Sequence, residues 1–327
     1  MDWPFKKTGI INRYVANTTI GTQPVRIVHH MLLHVFKNTH DEFMSEILQE
    51  IELGKLDREL LISLGEEPIR MGQGKMGTPK VNIETKKIEI HETFLSYLWC
   101  CTYSVYISYL EKIDFPAVNK SNGKIVHVIS PENIKLAEQL FEYGKYLIVH
   151  FMPWDKHTLP NPEVYPAENR TYVTQTNMLY TEAMKFILCH EFTHIKLHVD
   201  QINETTQDSH YLNFEIEADN NAIELMKKGI NSINQLAVEN GIILAILSMF
   251  FFNAKTTGVK HPNFEDRLTN ALERLDLNGN VHAWGIACMG LQMWDNMFGL
   301  NFKWTEEPIS YQEEYYKIVA QIKEQKF

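Results

Sequence analysis

The chain has 327 residues, 44% of them hydrophobic and 22% charged, the balance of a globular protein long enough to bury a core without disulfide or metal staples. Its formal net charge of −10, from 31 Lys and Arg against 41 Asp and Glu, repels phosphate backbones and anionic lipid and so argues against nucleic acid and membrane as partners. Cys100, Cys101, Cys189 and Cys288 form no CxxC pair and no disulfide framework, as expected of buried thiols in a reducing cytoplasm.

Met1-Asp2-Trp3-Pro4-Phe5-Lys6-Lys7 is followed by no apolar stretch resembling a signal peptide, which also points to a cytoplasmic location. A helix is expected from about Asp41 to Leu53. Glu66 to Pro79, rich in Gly and Pro, reads as a loop or inter-lobe linker. It holds Gly72-Gln73-Gly74-Lys75-Met76-Gly77, a GxGxxG match. Thr78-Pro79 follows where a dinucleotide fingerprint needs a helix, so nucleotide binding is set aside. Val81 to Ile90 alternates around Glu84-Thr85-Lys86-Lys87 and predicts a short hairpin.

Helices are predicted over Glu92 to Lys112 and Pro131 to Tyr143, and a strand over Tyr146 to Phe151. Met152 to Pro166, with Pro153, Pro160, Pro162 and Pro166, must be irregular. Asn177 to His198 is the strongest helix in the sequence, with Asn177 as its cap and Glu182 in an early turn. Further helices are expected over Asn213 to Lys228 and Ser232 to Asn253, from near Asn263, and over much of Ala283 to Phe327. The apolar run from Ile242 to Phe252 is too short for a bilayer, which needs roughly 20 residues, and reads as a buried core helix.

Chemistry concentrates in His190-Glu191-Phe192-Thr193-His194. Four residues apart on a helix, His190 and His194 share a face and can reach one metal ion. Glu191 lies beside them as general base for a metal-bound water. A catalytic zinc site takes three protein ligands and leaves one position open. Glu215-Ile216-Glu217-Ala218-Asp219 offers the third. Glu215, Ala218, Asp219 and Ala222 share one helical face, whereas Glu217 points roughly 200° away from Glu215. Glu215 is therefore the expected ligand, Glu217 is expected to be solvated, and Asp219 is expected to accept a hydrogen bond from a liganding histidine. His198 repeats the four-residue spacing but falls one turn further along, so it is expected to pack near the site. His261, opening the helix near Asn263, is the candidate oxyanion donor. Arg267 is expected to order the region through an ion pair.

These residues resemble a known pattern. His-Glu-x-x-His, followed about twenty residues later by Glu-x-x-x-Asp, is similar to gluzincin metallopeptidases, and His261-Pro262 with Arg267 also occurs in CAAX-prenyl proteases and their relatives. A nearer resemblance is to the Lit family of phage-exclusion proteases. It covers His190 to His198, Glu215 to Ala222, the helix from Gly241 to Phe252, and His261 to Arg267.

The resemblance implies a predominantly helical α+β fold with a small sheet and a zincin-like core. It also implies a cytoplasmic zinc endopeptidase of phage defence. In that reading Zn2+ is held by His190, His194 and Glu215, the substrate is a protein such as elongation factor Tu, and an activating peptide or protein relieves latency. The alternative is a non-catalytic zinc-binding sensor on the same fold. The expected organisation is an N-terminal region of unclear role (1–70), a metallopeptidase core (71–275) and a C-terminal helical segment packed on it (276–327).

Overall fold

The structure, a computed structural model, describes residues 23–58, 61–63, 76–123, 129–202, 206–258, 261–277 and 281–325. Most of the Gly-rich segment, with Gly72 and Gly74, lies outside them; Met76 to Pro79 are loop. The fold is α+β and predominantly helical, with one small sheet.

Chain order begins with a short 3-10 turn and α1 (His29–Lys37), then α2 (Phe43–Glu52) and β1 (Leu61–Ser63). The predicted hairpin forms as β2 (Lys80–Asn82) and β3 (Lys87–His91), with Val81 opposite Ile88. Asn82 Oδ1 closes its turn by accepting from the amides of Glu84 and Thr85. Alternation buries Ile88 and Ile90 while Lys87 and Glu89 face outward. β1, unforeseen in the sequence, pairs parallel to β3 on the other side, so β3 is central and β2 is one edge of a three-stranded sheet.

β3 runs directly into α3 (Glu92–Tyr109). His91 Nδ1 accepts from the Thr93 amide at 3.1 Å, taking up one of the amides that a helix start leaves unpaired. Glu92 in the first turn forms a buried pair with Arg26. α3 is buried on nearly every side, as its apolar and aromatic composition requires of a central helix. It passes into a π turn (Leu110–Asp114) and then α4 (Phe115–Ser121).

α5 (Pro131–Val149) corrects one expectation: Tyr146 to Phe151 does not form a strand, because the helix continues to Val149. Leu147 and Ile148 are buried while Tyr146 and Val149 are exposed. Packing along α3, with Gly144 against Cys100, overrides the β propensity of this short run. The proline-rich stretch to Pro166 is irregular, as expected.

α6 (Arg170–Thr193) starts seven residues before the expected cap. Asn177 is not a cap but an interior residue whose Oδ1 accepts from Trp99 Nε1 at 2.8 Å. Glu182 is likewise mid-helix and pairs with Lys185. His194–His198 continue α6 as a π turn. α7 (Asp208–Lys227) also begins earlier than periodicity predicts, because its first turn is polar. α8 (Gln235–Phe250), α9 (Phe264–Arg274), α10 (Val281–Phe298) and α11 (Tyr311–Glu324) follow.

Side chains from the helices join one continuous core around α3, α6 and α8, to which α4 adds only the partly buried Phe115 and α7 only its second half. The four cysteines are free and buried within it. Among the described residues, no helix is long and apolar enough to cross a membrane.

α6 and α8 approach so closely at Gly241 that an added Cβ would lie 2.5 Å from Glu182 Cβ and 2.9 Å from the Ala183 amide nitrogen. Gly241→Ala should therefore destabilise the fold by about 1–3 kcal/mol, the usual range for overpacking. Gly77→Ala, which meets nothing within 4 Å, should be neutral. Urea unfolding of both variants checks this; equal midpoints would show that the helices can separate freely.

Candidate functional site

The last turn of α6 carries His190, the π turn that continues it opens with His194, and α7 brings Glu215 to them. Buried alanines at 218 and 222 let the two helices approach. Asn221 Nδ2 donates to Thr193 Oγ1 at 2.9 Å, pinning the crossing beside the site. The two histidine Nε2 atoms lie 3.1 Å apart. Glu215 Oε2 is 3.5 Å from His190 Nε2, and its Oε1 is 3.4 Å from His194 Nε2.

His190, His194 and Glu215 thus form a group that could hold a metal ion. Tetrahedral zinc with donors at about 2.0–2.1 Å separates neighbouring donors by roughly 3.3 Å. The 3.1 Å between the two Nε2 atoms is close to that edge, and Glu215 turns one carboxylate oxygen toward each imidazole. Two imidazoles and one carboxylate are also the donor set of open zinc sites, which keep a position for water or substrate.

Each histidine is oriented from behind. His190 Nδ1 lies 2.9 Å from Asp219 Oδ1. Arg267 clamps the same carboxylate with two hydrogen bonds, Nε to Oδ2 and Nη2 to Oδ1, both 2.7 Å. All three side chains are buried. Asp219 and Arg267, singled out in the sequence, are brought together here as an ion pair beneath His190.

His194 has a different support. Its Nδ1 is 2.9 Å from His198 Nδ1, and His198 Nε2 is 3.1 Å from Glu217 Oε2. With His194 Nε2 turned to the metal position, its Nδ1 carries the proton and donates to His198, which in turn donates from Nε2 to Glu217. His198 is wholly buried and stacks on Phe214 with ring centroids 4.4 Å apart.

Glu217 is largely exposed, as its helical phase predicts, yet its carboxylate is the far end of this relay. Sequence reasoning missed that role. The signal was present in the spacing of His190, His194 and His198, but the π turn that aims His198 back at His194 is not written in any short motif.

Charge follows from this packing. Burial pushes the Asp219 carboxyl up, but Arg267 and His190 outweigh it and hold it at about 2. Burial opposes ionisation of Glu215 too, yet hydrogen bonds from His190, His194 and His261 draw it well below the carboxylate range. His190 is held up near 10 by Asp219 and Glu215 against the effect of burial. Burial lowers His194, with Glu215 opposing. Metal binding must displace the proton that His190 would otherwise hold.

Glu191 is the one carboxyl of the motif driven upward. Burial is the largest influence and the Glu215 charge adds to it, while His190, Arg267 and a hydrogen bond from the Val81 amide pull the other way; the balance is about 7. That amide belongs to an edge strand of the sheet, a contact the sequence did not announce.

His261 Nδ1 reaches Glu215 Oε2 at 3.0 Å, and its ring is more than half exposed at the mouth of the site. The whole cluster opens into a pocket of about 460 Å³, walled by Phe94, Phe186, Phe214, Phe252 and Phe264, with Lys80 and Val81 along one side.

If these supports set ligand geometry, removing either should weaken metal binding by about 10–100-fold. Asp219→Asn and His198→Phe are the variants, and competition with a chromophoric chelator is the measurement. Wild-type affinity in both would show that His190 and His194 need no support.

With this geometry established, comparison with known proteins gives one match. A family model described as Peptidase U49 matches residues 88–287, more than half of the chain, a span that includes His190, Glu191, His194, His198, Glu215, Asp219, His261 and Arg267 but not Lys80 or Val81. Searches of curated proteins and of solved structures give no match. The chain belongs to the peptidase U49 family.

Proposed function

We propose that the chain is a zinc-dependent endopeptidase that uses His190, His194 and Glu215 as ligands. The observation that carries this reading is the convergence of two imidazoles and one carboxylate on one point, beside a buried carboxyl at about 7 on Glu191. Zinc would supply a water acidified toward neutral pH and a Lewis acid for the peptide carbonyl.

The chain's own residues do the rest. Glu191 takes the proton of the attacking water and delivers it to the leaving amine; a carboxyl near 7 can do both at neutral pH. His261, anchored to Glu215 through Nδ1, is assigned to the developing oxyanion through Nε2. Asp219, braced by Arg267, holds His190 in place. β2 is an edge strand lining the pocket, so an extended peptide can pair along it, with the aromatic wall taking side chains.

The proposal includes a cytoplasmic setting, a translation factor such as elongation factor Tu as target, and a role in phage defence. These rest on the resemblance of the motif residues to the Lit family. An endopeptidase open to cytoplasmic proteins would damage its host, so the proposal also includes latency until a peptide or protein partner binds.

Glu191→Gln should retain zinc by elemental analysis yet lose about 10²–10⁴-fold in cleavage rate, the usual contribution of a general acid–base. Chelation should abolish cleavage in the wild type and added zinc should restore it. Both are read by mass spectrometry of new peptide termini in lysate of phage-infected cells, which would supply the activating partner, incubated with each protein. Cleavage that survives chelation, or full activity in Glu191→Gln, would overturn the mechanism.

A further inference from the structure

His190 and His194 occupy one face of α6. Phe192 is two residues from each of them, which places it on the far side of the helix. Cys189, Phe192 and Lys196 follow one another at three- and four-residue spacing and so share that far face. Asp200, four residues further, lies in the 3-10 turn (Val199–Gln201) that ends the run.

Each of these four residues meets one from the N-terminal part of the chain, in order. Thr39 Oγ1 lies 3.8 Å from Cys189 Sγ. The Phe43 ring stands edge-on to Phe192 with centroids 5.2 Å apart, and Phe36 stands on Phe43 in the same way at 5.2 Å. All three rings are buried. Glu46 Oε2 accepts from Lys196 Nζ at 2.7 Å, in the middle of the π turn. Lys55 Nζ is 2.7 Å from Asp200 Oδ2. Phe43 and Glu46 are three apart on α2 and so point the same way. Residues 39–55 thus track the back of the metal motif, and all of them precede the family match, which begins at residue 88.

The place of these contacts indicates what they do. A π turn is a local departure from the α-helix that recurs at functional sites. This one opens with His194 and closes with His198, whose Nδ1 atoms lie 2.9 Å apart. It is tied just before its start by Phe43, at its centre by Glu46 and just after its end by Lys55. Lys196 and Glu46 remain 35% and 21% exposed, so their pair adds at most about 1 kcal/mol to stability. Its larger effect is on where the turn sits.

We infer that residues 39–55 are a positioning element of the metal site, acting through Phe43 on the motif and through Glu46 on the π turn, a role that rests on reading His194 as a metal ligand. The N-terminal region, whose role the sequence leaves open, thereby becomes part of the site without touching metal or substrate.

Cobalt(II), added alone to the metal-free full chain, is the probe, because its visible bands report ligand geometry. Phe43→Leu and Glu46→Gln should each shift the bands and weaken cobalt binding about two- to ten-fold, the worth of one aromatic pair or one partly exposed ion pair. The charge exchange Glu46→Lys with Lys196→Glu should restore the wild-type bands. Ile318→Ala on α11, buried and outside the pocket, should cost more stability and leave the bands unchanged.

Hydrogen exchange of the metal-free chain gives a readout that needs no metal. Amides of residues 194–201 should exchange about two- to five-fold faster in Glu46→Gln, with those of α11 unchanged. A wild type that binds no cobalt would defeat the zinc reading and leave exchange to decide the positioning role. That role is overturned if exchange at 194–201 matches the wild type, or if cobalt-loaded Phe43→Leu and Glu46→Gln keep the wild-type bands.

Discussion

Beneath the group that could hold a metal ion lies one buried ion pair on which the site's geometry depends. Arg267 on α9 grips Asp219 on α7 with two short hydrogen bonds, and Asp219 holds His190 on α6. Three helices far apart in sequence are thereby fixed to one another at the metal position. Breaking such a pair by removing one partner leaves a buried charge unmatched, at a cost of about 3–5 kcal/mol. The pair thus places the ligand and also locks the helix crossing that creates the pocket.

The same packing sets two carboxyls in opposite directions. Asp219, held at about 2, contributes stability that is present above the ordinary carboxylate range and is lost as pH falls toward 2. Glu191, raised to about 7, acts with the opposite sign. Before a metal binds, its ionisation works increasingly against the fold as pH rises from the ordinary range to 7. Two acids within one small site are separated by what faces them: a guanidinium for one, apolar burial for the other. That separation is the usual mark of acid–base chemistry.

Much of this could be read in the sequence because helical phase is a strong signal. It put His190 and His194 on one face and chose Glu215 over Glu217, and the structure brings these three side chains together. The choice of Asp219 rested on the same phase, whereas Arg267 was expected to form an ion pair with no partner named, and the structure supplies Asp219 as that partner. The misreadings came where tertiary packing outweighs local pattern. Tyr146 to Val149 looks like a strand but packs as a helix on α3. Asn177 looks like a cap but is used by Trp99. The polar first turn of α7 offers no periodicity to detect. β1 is only three residues long and is recognisable only once β3 is beside it.

The π turn at His194–His198 has a further consequence. Residues four apart on a helix share a face, and across this π turn His194 Nδ1 and His198 Nδ1 lie 2.9 Å apart. The aim of His198 is therefore a property of residue count along the backbone more than of any one side chain. Substitutions nearby leave that count intact, but loss or gain of a single residue between His194 and His198 would rotate everything downstream by about 100°. The reading frame of the helix is itself part of the site, and at this point the gene can tolerate replacement far better than it can tolerate a change in length.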